Sequence, residues 1–158
     1  MDIRTDDLTD PRVHALLTEH LQNMHAVTPR EHVHALDVRG LQAPDITFVT
    51  AWDGDTLLGC GAMRQLSPTH GELKSMRTPS SLRRRGAGRA ILDHLLQLAR
   101  SRGYNRVSLE TGTHAAFVPA LTLYRSAGFR PCGPFGDYRA SHDNQFLTLD
   151  LTDGVAGR

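Results

Sequence analysis

The spacing of apolar residues changes several times along this chain, and each change predicts a new helix or strand. Apolar side chains three and four residues apart predict helices. Asp10 before Pro11 is a helix-start signal, and a capping box at Thr28 and Glu31 is another. The predicted helices cover residues 11–25, 28–40 and 115–127, and a further helix runs through 91–99 and is closed by Gly103.

Alternating apolar and polar residues predict strands in the rest of the chain, and Asp53-Gly54-Asp55 is typical of a hairpin turn. The predicted strands cover residues 1–4, 46–52, 56–65, 71–78, 106–111 and 145–151, with a further short strand near 129–132. Three consecutive antiparallel strands come before a β-α-β crossover. This order predicts an α/β fold, with a central mixed sheet and helices on both faces.

Composition narrows the class of protein. The 158 residues suit one domain over 1–152, followed by a disordered tail over 153–158. A net charge of +1 argues against a dedicated binder of nucleic acid or membrane surfaces. No apolar run approaches the roughly 20 residues of a membrane helix, and residues 1–10 do not read as a signal peptide, so we expect a cytoplasmic protein. Cys60 and Cys132 lack a metal-binding spacing, and we expect no metal.

The first candidate site is a basic, glycine-rich turn at 83–90, between a predicted strand and a predicted helix. The first amides of a helix have no internal partner and lie at its positive end, and glycines let a diphosphate approach them closely. The turn lacks the Gly-Lys-Ser/Thr of a Walker A loop and the frame of a dinucleotide fingerprint. The alternative interpretation is a basic surface turn.

The sequence R-x-x-G-x-G at 83–88 resembles the Q/R-x-x-G-x-G/A signature of the GCN5-related N-acetyltransferases, and A-x-x-x-Y-x-x-x-G-F at 120–129 resembles their second recurring patch. Four further segments resemble a bacterial subgroup of YsnE type: HAL at 34–36, GELKSMR at 71–77, LETG at 109–112 and PFGDY at 134–138. The resemblance covers nearly the whole chain. It implies acetyl-CoA as the acyl donor and no metal.

The resemblance also implies where this donor binds. The turn would surround the pyrophosphate, and the thioester would lie in a gap between the strand that ends near Thr78 and the one that ends near Thr111. The implied cofactor-binding residues are Met76, Thr78, Arg83, Arg84, Arg85, Gly86, Ala87, Gly88, Arg89, Ala90 and Thr111. One position departs from the family, because Phe117 stands where many relatives carry asparagine.

Two residues are the implied catalytic groups. Glu72 would be the general base that takes a proton from the attacking amine, and Tyr124 would protonate the departing thiolate. Each also has a structural interpretation. Glu72 could only pair with Lys74 on the same strand face, and Tyr124 could be a core tyrosine. We expect direct attack without a covalent enzyme intermediate, because neither cysteine falls in a recognised motif.

The acceptor is expected to be a primary amine, either a small-molecule amine or an amino-acid-like compound. The implied substrate-binding residues are His34, Lys74, Glu110, Phe135 and Tyr138. Lys74, Arg77 and His34 together suggest an acceptor that carries a carboxylate. Dimers are common in the family. Two rival interpretations are a non-catalytic acyl-CoA binding or sensing module and a nucleic-acid binder that uses the arginines of the turn.

Overall fold

The computed structural model describes residues 1–29, 36–79, 82 and 85–152. Its strands form one mixed seven-stranded sheet in the order β1-β2-β3-β4-β5-β7-β6. The strands are β1 (Asp2–Thr5), β2 (Ile46–Asp53), β3 (Thr56–Ser67), β4 (His70–Arg77), β5 (Arg106–Gly112), β6 (Arg130–Cys132) and β7 (Asn144–Asp150). The predicted α/β fold and its extra short strand are confirmed. Pro131 is accommodated because β6 is an edge strand.

Four α-helices are described: α1 (Pro11–Val27), α2 (Val38–Leu41), α3 (Ala87–Ser101) and α4 (Val118–Ser126). The Asp10 carboxylate caps α1 by accepting from the amide of Arg12 at 2.8 Å. A 3-10 turn at Ala115–Phe117 leads into α4, which is therefore shorter than the predicted helix. None of the helices in the described ranges has both the length and the hydropathy that crossing a bilayer requires.

The predicted second helix is only partly described. Thr28 does not begin it, because the Thr28 amide donates to the Met24 carbonyl and ends α1. Its capping-box partner Glu31 lies outside the described residues, and so does the predicted tail at 153–158. The helix that is described, α2, begins after Asp37, whose carboxylate accepts from the Gly40 amide at 2.8 Å.

Helices cover both faces of the sheet, and each face has its own apolar core. α3 and α4 pack on one face around Ile91, Leu92 and Leu95, which are fully buried. α1 packs on the other through Val13, Leu16 and Leu17. Burying each such side chain stabilises the fold by about 1.5–3 kcal/mol.

The centre of the sheet contains a partial break. β4 and β5 are parallel, and their ladder has four residue pairs, from His70 with Arg106 to Leu73 with Leu109. Beyond that point β4 stays paired to β3 as far as Arg77, and β5 stays paired to β7 as far as Gly112. The two strands therefore separate toward their carboxyl ends, and each keeps only its outer partner.

A bulge in β4 lies at this separation. Cys60 pairs with Arg77 and Ala62 with Lys74, so that Ser75 and Met76 together oppose one residue of β3. Ser75 has a φ of +54°, which is unusual for a residue other than glycine. The opposing residue is Gly61, where a Cβ would lie 2.6 Å from the Met76 sulfur. This contact with the bulge is the physical reason that a glycine stands at position 61.

Candidate active site

A narrow cleft opens where β4 and β5 separate. Its volume is about 100 Å³, and residues from α1, β4, β5 and α4 line it. Unpaired backbone groups beyond Leu73 and Leu109 flank the gap. The predicted site residues on its walls are Glu72, Lys74, Met76, Glu110, Thr111, Tyr124 and Tyr138.

Glu72, Lys74 and Tyr138 form a hydrogen-bonded cluster on this wall. The Glu72 side chain is 1% exposed. Its Oε2 atom lies 3.3 Å from Lys74 Nζ and also accepts from the Tyr138 hydroxyl. Lys74 Nζ donates to the Tyr138 oxygen at 2.7 Å. The other carboxylate oxygen, Glu72 Oε1, is buried and has no hydrogen-bond partner among the described residues. Two donors thus hold one oxygen of this carboxylate in place.

Aromatic packing fixes the position of Tyr138. The Phe135 ring meets the Tyr138 ring edge-on at 5.2 Å between centroids, and Phe146 packs 5.7 Å from Phe135. Burial, and then the Glu72 charge, raise the pKa of Tyr138, so that its phenol keeps its proton. Phe135 was predicted as a substrate-binding residue. It lines neither this cleft nor the larger cavity beside it, because its aromatic contacts hold it behind Tyr138.

A larger cavity of about 680 Å³ adjoins the cleft. Its lining includes the segment 136–141 together with residues of β3 and β4, and it shares Glu72, Lys74 and Tyr138 with the cleft. This volume is typical of a site for a small molecule. Arg64 and Arg139 contribute positive charge to its walls and Asp137 negative charge. The three shared side chains therefore lie between the narrow cleft and the larger cavity.

Asn144 anchors the segment that carries Tyr138. Its Nδ2 atom donates to Glu110 Oε2 at 2.9 Å and to the Arg139 carbonyl at 3.1 Å, while its Oδ1 atom accepts from the Ser141 amide at 2.9 Å. Glu110 lines the cleft. Its contact with Asn144 ties β5 to the segment that carries Tyr138.

Tyr124 lies on α4 at the opposite wall of the cleft. It packs against Phe129 at 5.8 Å between ring centroids, and burial raises the pKa of its phenol. Tyr124 therefore belongs both to the core cluster and to the lining of the cleft. Phe117, the position that departs from the family, also lines the cleft. Its ring occupies the space that a Cβ at Gly112 would need.

The glycine-rich turn forms the amino end of α3. Gly86 is the N-cap with a φ of +82°, and no side chain caps the helix. The Ala90 amide donates to the Gly86 carbonyl, whereas the amides of Ala87, Gly88 and Arg89 have no acceptor among the described residues. A helix start with such amides and no carboxylate in its first turn fits the pyrophosphate of an acyl-CoA.

The arginines of the turn are only partly described. Arg83 and Arg84 lie outside the described residues, as does the predicted substrate residue His34. Arg85 pairs with Asp53 at 3.2 Å, and Arg89 pairs with Asp93 at 3.0 Å. Both pairs are exposed, so each contributes little and could exchange for a phosphate oxygen.

Comparison with known proteins decides the family. The sequence profile described as the acetyltransferase (GNAT) family matches residues 12–129. This chain belongs to the GNAT family of acetyltransferases. It is accordingly an acyl-CoA-dependent acetyltransferase.

Relatives of this acetyltransferase match it over almost their whole length. It is 48% identical to the uncharacterized N-acetyltransferase YsnE of Bacillus subtilis, over 96% of this chain and 100% of that one. It is also 48% identical to the uncharacterized N-acetyltransferase YedL of Escherichia coli, over 96% of this chain and 95% of that one. An IAA acetyltransferase of Azospirillum brasilense is 38% identical over 78% of this chain and 80% of its own. The predicted YsnE-type resemblance is confirmed.

Solved structures show the same fold. A putative acyl-CoA N-acyltransferase from Klebsiella pneumoniae superposes with a TM-score of 0.76 at 22% identity, covering 95% of this chain and 97% of that one. A Bacillus subtilis acetyltransferase in complex with CoA gives 0.69 at 22% identity, covering 94% and 97%.

Two polar residues of the cleft were not predicted as site residues. His20 and Ser75 line it, and each has a buried polar atom without a partner among the described residues. His20 could have been found in the sequence, because it lies four residues after Leu16 and four before Met24, on the buried stripe of α1. A polar residue on an apolar stripe is the signal. Ser75 gave no signal, because its bulge depends on pairing with β3.

Arg77, predicted to meet a substrate carboxylate, pairs instead with Glu19 at 2.7 Å.

Proposed function

We propose that this acetyltransferase moves the acetyl group of acetyl-CoA to the amine of a small molecule by direct attack within a ternary complex. The observation that carries the proposal is the buried Glu72 carboxylate on the wall shared by the narrow cleft and the larger cavity. A thioester in the cleft and an amine entering from the cavity would meet beside Glu72. This arrangement needs no covalent intermediate, because both substrates reach the same point.

The donor would bind along the separated strands. The amides of Ala87, Gly88 and Arg89 would hold the pyrophosphate, with Arg85 supplying charge. The unpaired backbone edge of β4 near Met76 and Thr78 would pair with the pantetheine arm, and Thr111 would flank the thioester. A backbone amide at the bulge would stabilise the oxyanion that forms on the acyl carbon.

The proton transfers follow from the side chains. The Glu72 carboxylate would take one proton from the ammonium, and the neutral nitrogen would then attack the acyl carbon. The carbon–nitrogen bond forms and the carbon–sulfur bond breaks. The nitrogen then loses its second proton, and this proton neutralises the leaving thiolate. Burial raises the pKa of Tyr124, whereas an ordinary thiol has a pKa of about 8.5, so full proton transfer from the phenol is disfavoured. Tyr124 would instead donate a hydrogen bond to the sulfur.

The first test is titration calorimetry with acetyl-CoA, comparing the wild type with Gly86→Glu. Gly103→Glu is the matched control, because Gly103 has a φ of +81°, no atom within 4 Å, and a place at the other end of α3. We expect micromolar binding that only Gly86→Glu abolishes. Equal binding by both variants would remove the turn from the site.

The second test is a thiol-release assay with a library of amines, followed by initial rates over a grid of both substrate concentrations. Intersecting double-reciprocal lines are expected for a ternary complex, and parallel lines would contradict it. Glu72→Gln should lower kcat about 10²–10⁴-fold with acetyl-CoA binding unchanged. Binding without turnover of any amine would favour the sensing module.

A further inference from the structure

The larger cavity contains positive charge that the proposed proton transfers do not use. Its charged lining side chains are three cations, Arg64, Lys74 and Arg139, and two carboxylates, Glu72 and Asp137. Lys74 is already held against Glu72 at 3.3 Å. The two arginines therefore supply the positive charge that remains for a substrate in this cavity.

Arg64 lies beside the proposed base. The antiparallel register of β3 and β4 places Arg64 directly opposite Glu72. The side chains of such a pair lie on the same face of the sheet, with their Cβ atoms about 4.5–5.5 Å apart. Burial and then the Glu72 charge raise the pKa of Tyr138, and the positive charge of Arg64 opposes that rise. The charge of Arg64 thus acts on the same cluster that holds the Glu72 carboxylate.

The guanidinium of Arg64 keeps donors for a ligand. Its Nε atom donates to Asp45 at 3.1 Å, and the two terminal nitrogens have no acceptor among the described residues. The Arg64 and Asp45 side chains are 43% and 42% exposed, so the ion pair between them is weak. A guanidinium presents its donors as a planar fork that matches the two oxygens of a carboxylate.

Arg139 reaches the same cavity from the segment 136–141. Its carbonyl accepts from Asn144 Nδ2 at 3.1 Å, which fixes the backbone next to Tyr138. The Arg139 side chain is exposed and forms no ion pair with the rest of the described chain. Two arginines from separate parts of the fold therefore line one space beside the base.

We propose that Arg64 and Arg139 bind a carboxylate of the acceptor, which is then an amino acid or a similar amine. The inference rests on the proposed function and adds the class of acceptor. The nitrogen would lie at Glu72 and the carboxylate at its cross-strand neighbour Arg64. This separation suits a carboxylate about one to three carbon atoms from the nitrogen. The carboxylate would offset the positive charge that the two arginines bring to the cavity.

The test measures thiol release with glycine, β-alanine and 4-aminobutanoate, each beside its carboxamide, and with each carboxylate-bearing amine that the library identifies. Rates are referred to the concentration of free-base amine. We expect the wild type to favour the carboxylate form of the best pair about tenfold or more in kcat/KM. The preference should shrink between about 0.05 and 0.5 M NaCl, because salt screens exposed charges.

Arg64→Gln and Arg139→Gln should each reduce this preference about three- to tenfold, through the KM for the carboxylate form, with the KM for acetyl-CoA unchanged. An effect of Arg64 exerted only through Glu72 would instead lower both forms equally and leave the preference as it was. Arg64→Lys, which keeps the charge and loses the fork, should retain part of the preference.

Arg100→Gln is the matched control, because Arg100 is exposed in the last turn of α3 and lines neither cavity. It should keep the wild-type preference. A preference that is unchanged in both Arg64→Gln and Arg139→Gln would overturn the inference while the proposed function stands. Equal turnover of carboxylates and carboxamides by the wild type would do the same. A wild type that turns over no amine would overturn both.

Discussion

Replacing Tyr138 by phenylalanine tests how the buried carboxylate is controlled. The change removes one hydroxyl that donates to Glu72 Oε2 and accepts from Lys74 Nζ, and it leaves the aromatic packing against Phe135 in place. Lys74 would remain 3.3 Å from Glu72. The substitution therefore removes one of two donors to the charged form of the base.

The size of the effect follows from this geometry. A hydrogen bond to a charged group stabilises it by about 1.5–3 kcal/mol, and each tenfold change in rate corresponds to about 1.4 kcal/mol. The lost hydrogen bond also orients the Glu72 carboxylate, so kcat/KM for the amine should fall about 10–100-fold in Tyr138→Phe. The Tyr138 phenol itself stays protonated, because burial raises its pKa.

The assay is thiol release at limiting amine. Tyr104→Phe is the matched control, since this buried tyrosine donates to Gln65 at 2.9 Å, away from both cavities. Its kcat/KM should equal that of the wild type. An unchanged kcat/KM in Tyr138→Phe would refute the view that this phenol holds Glu72 in place as the base.

Three further changes test other parts of the fold. Gly61→Ala should destabilise the protein by about 1–3 kcal/mol in urea unfolding, because its Cβ would lie 2.6 Å from the Met76 sulfur. Gly133→Ala is the control and should leave stability unchanged, because its Cβ would have no atom within 4 Å. Equal stability of the two variants would contradict the close approach at Gly61. The His20 pKa of about 4 lies below the ordinary value of about 6.5, so the unfolded chain binds the extra proton and stability should fall by about 2 kcal/mol from pH 7 to pH 5. His20→Gln should lack this fall in urea unfolding at the two pH values, and an undiminished fall would assign it to other groups. Asn144→Ala removes three hydrogen bonds and should lower the free energy of unfolding by about 1–3 kcal/mol. It should also raise the KM for the amine, and an unchanged KM would show that Asn144 does not shape the larger cavity for the acceptor.

Much of the fold was predictable because its signals are local. The apolar stripe of α3, the capping of α1 by Asp10 and the hairpin turn at 53–55 each depend on a few neighbouring residues. The short edge strand β6 was also predicted. The predicted second helix was different, because Thr28 has the chemistry of an N-cap and yet serves as the end of α1.

The candidate site was predictable only where its residues belong to a motif. The glycine turn and Tyr124 carry recurring patterns, whereas Ser75 depends on the register between β3 and β4, which no short window of sequence contains. The aromatic cluster behind Tyr138 brings together Phe135 and Phe146 from separate segments. Such contacts arise from the pairing of β7 with β5, and so they follow from topology rather than spacing.

The four-pair ladder between β4 and β5 also bears on how the chain folds. Two-residue turns join β2 to β3 and β3 to β4, so these pairings close short loops and we expect them to form early. The parallel ladder requires the α3 crossover and should form later. Until then β4 is the exposed edge of a partial sheet, a site at which another chain could pair. The gap of the finished enzyme is the part of that edge which folding leaves open.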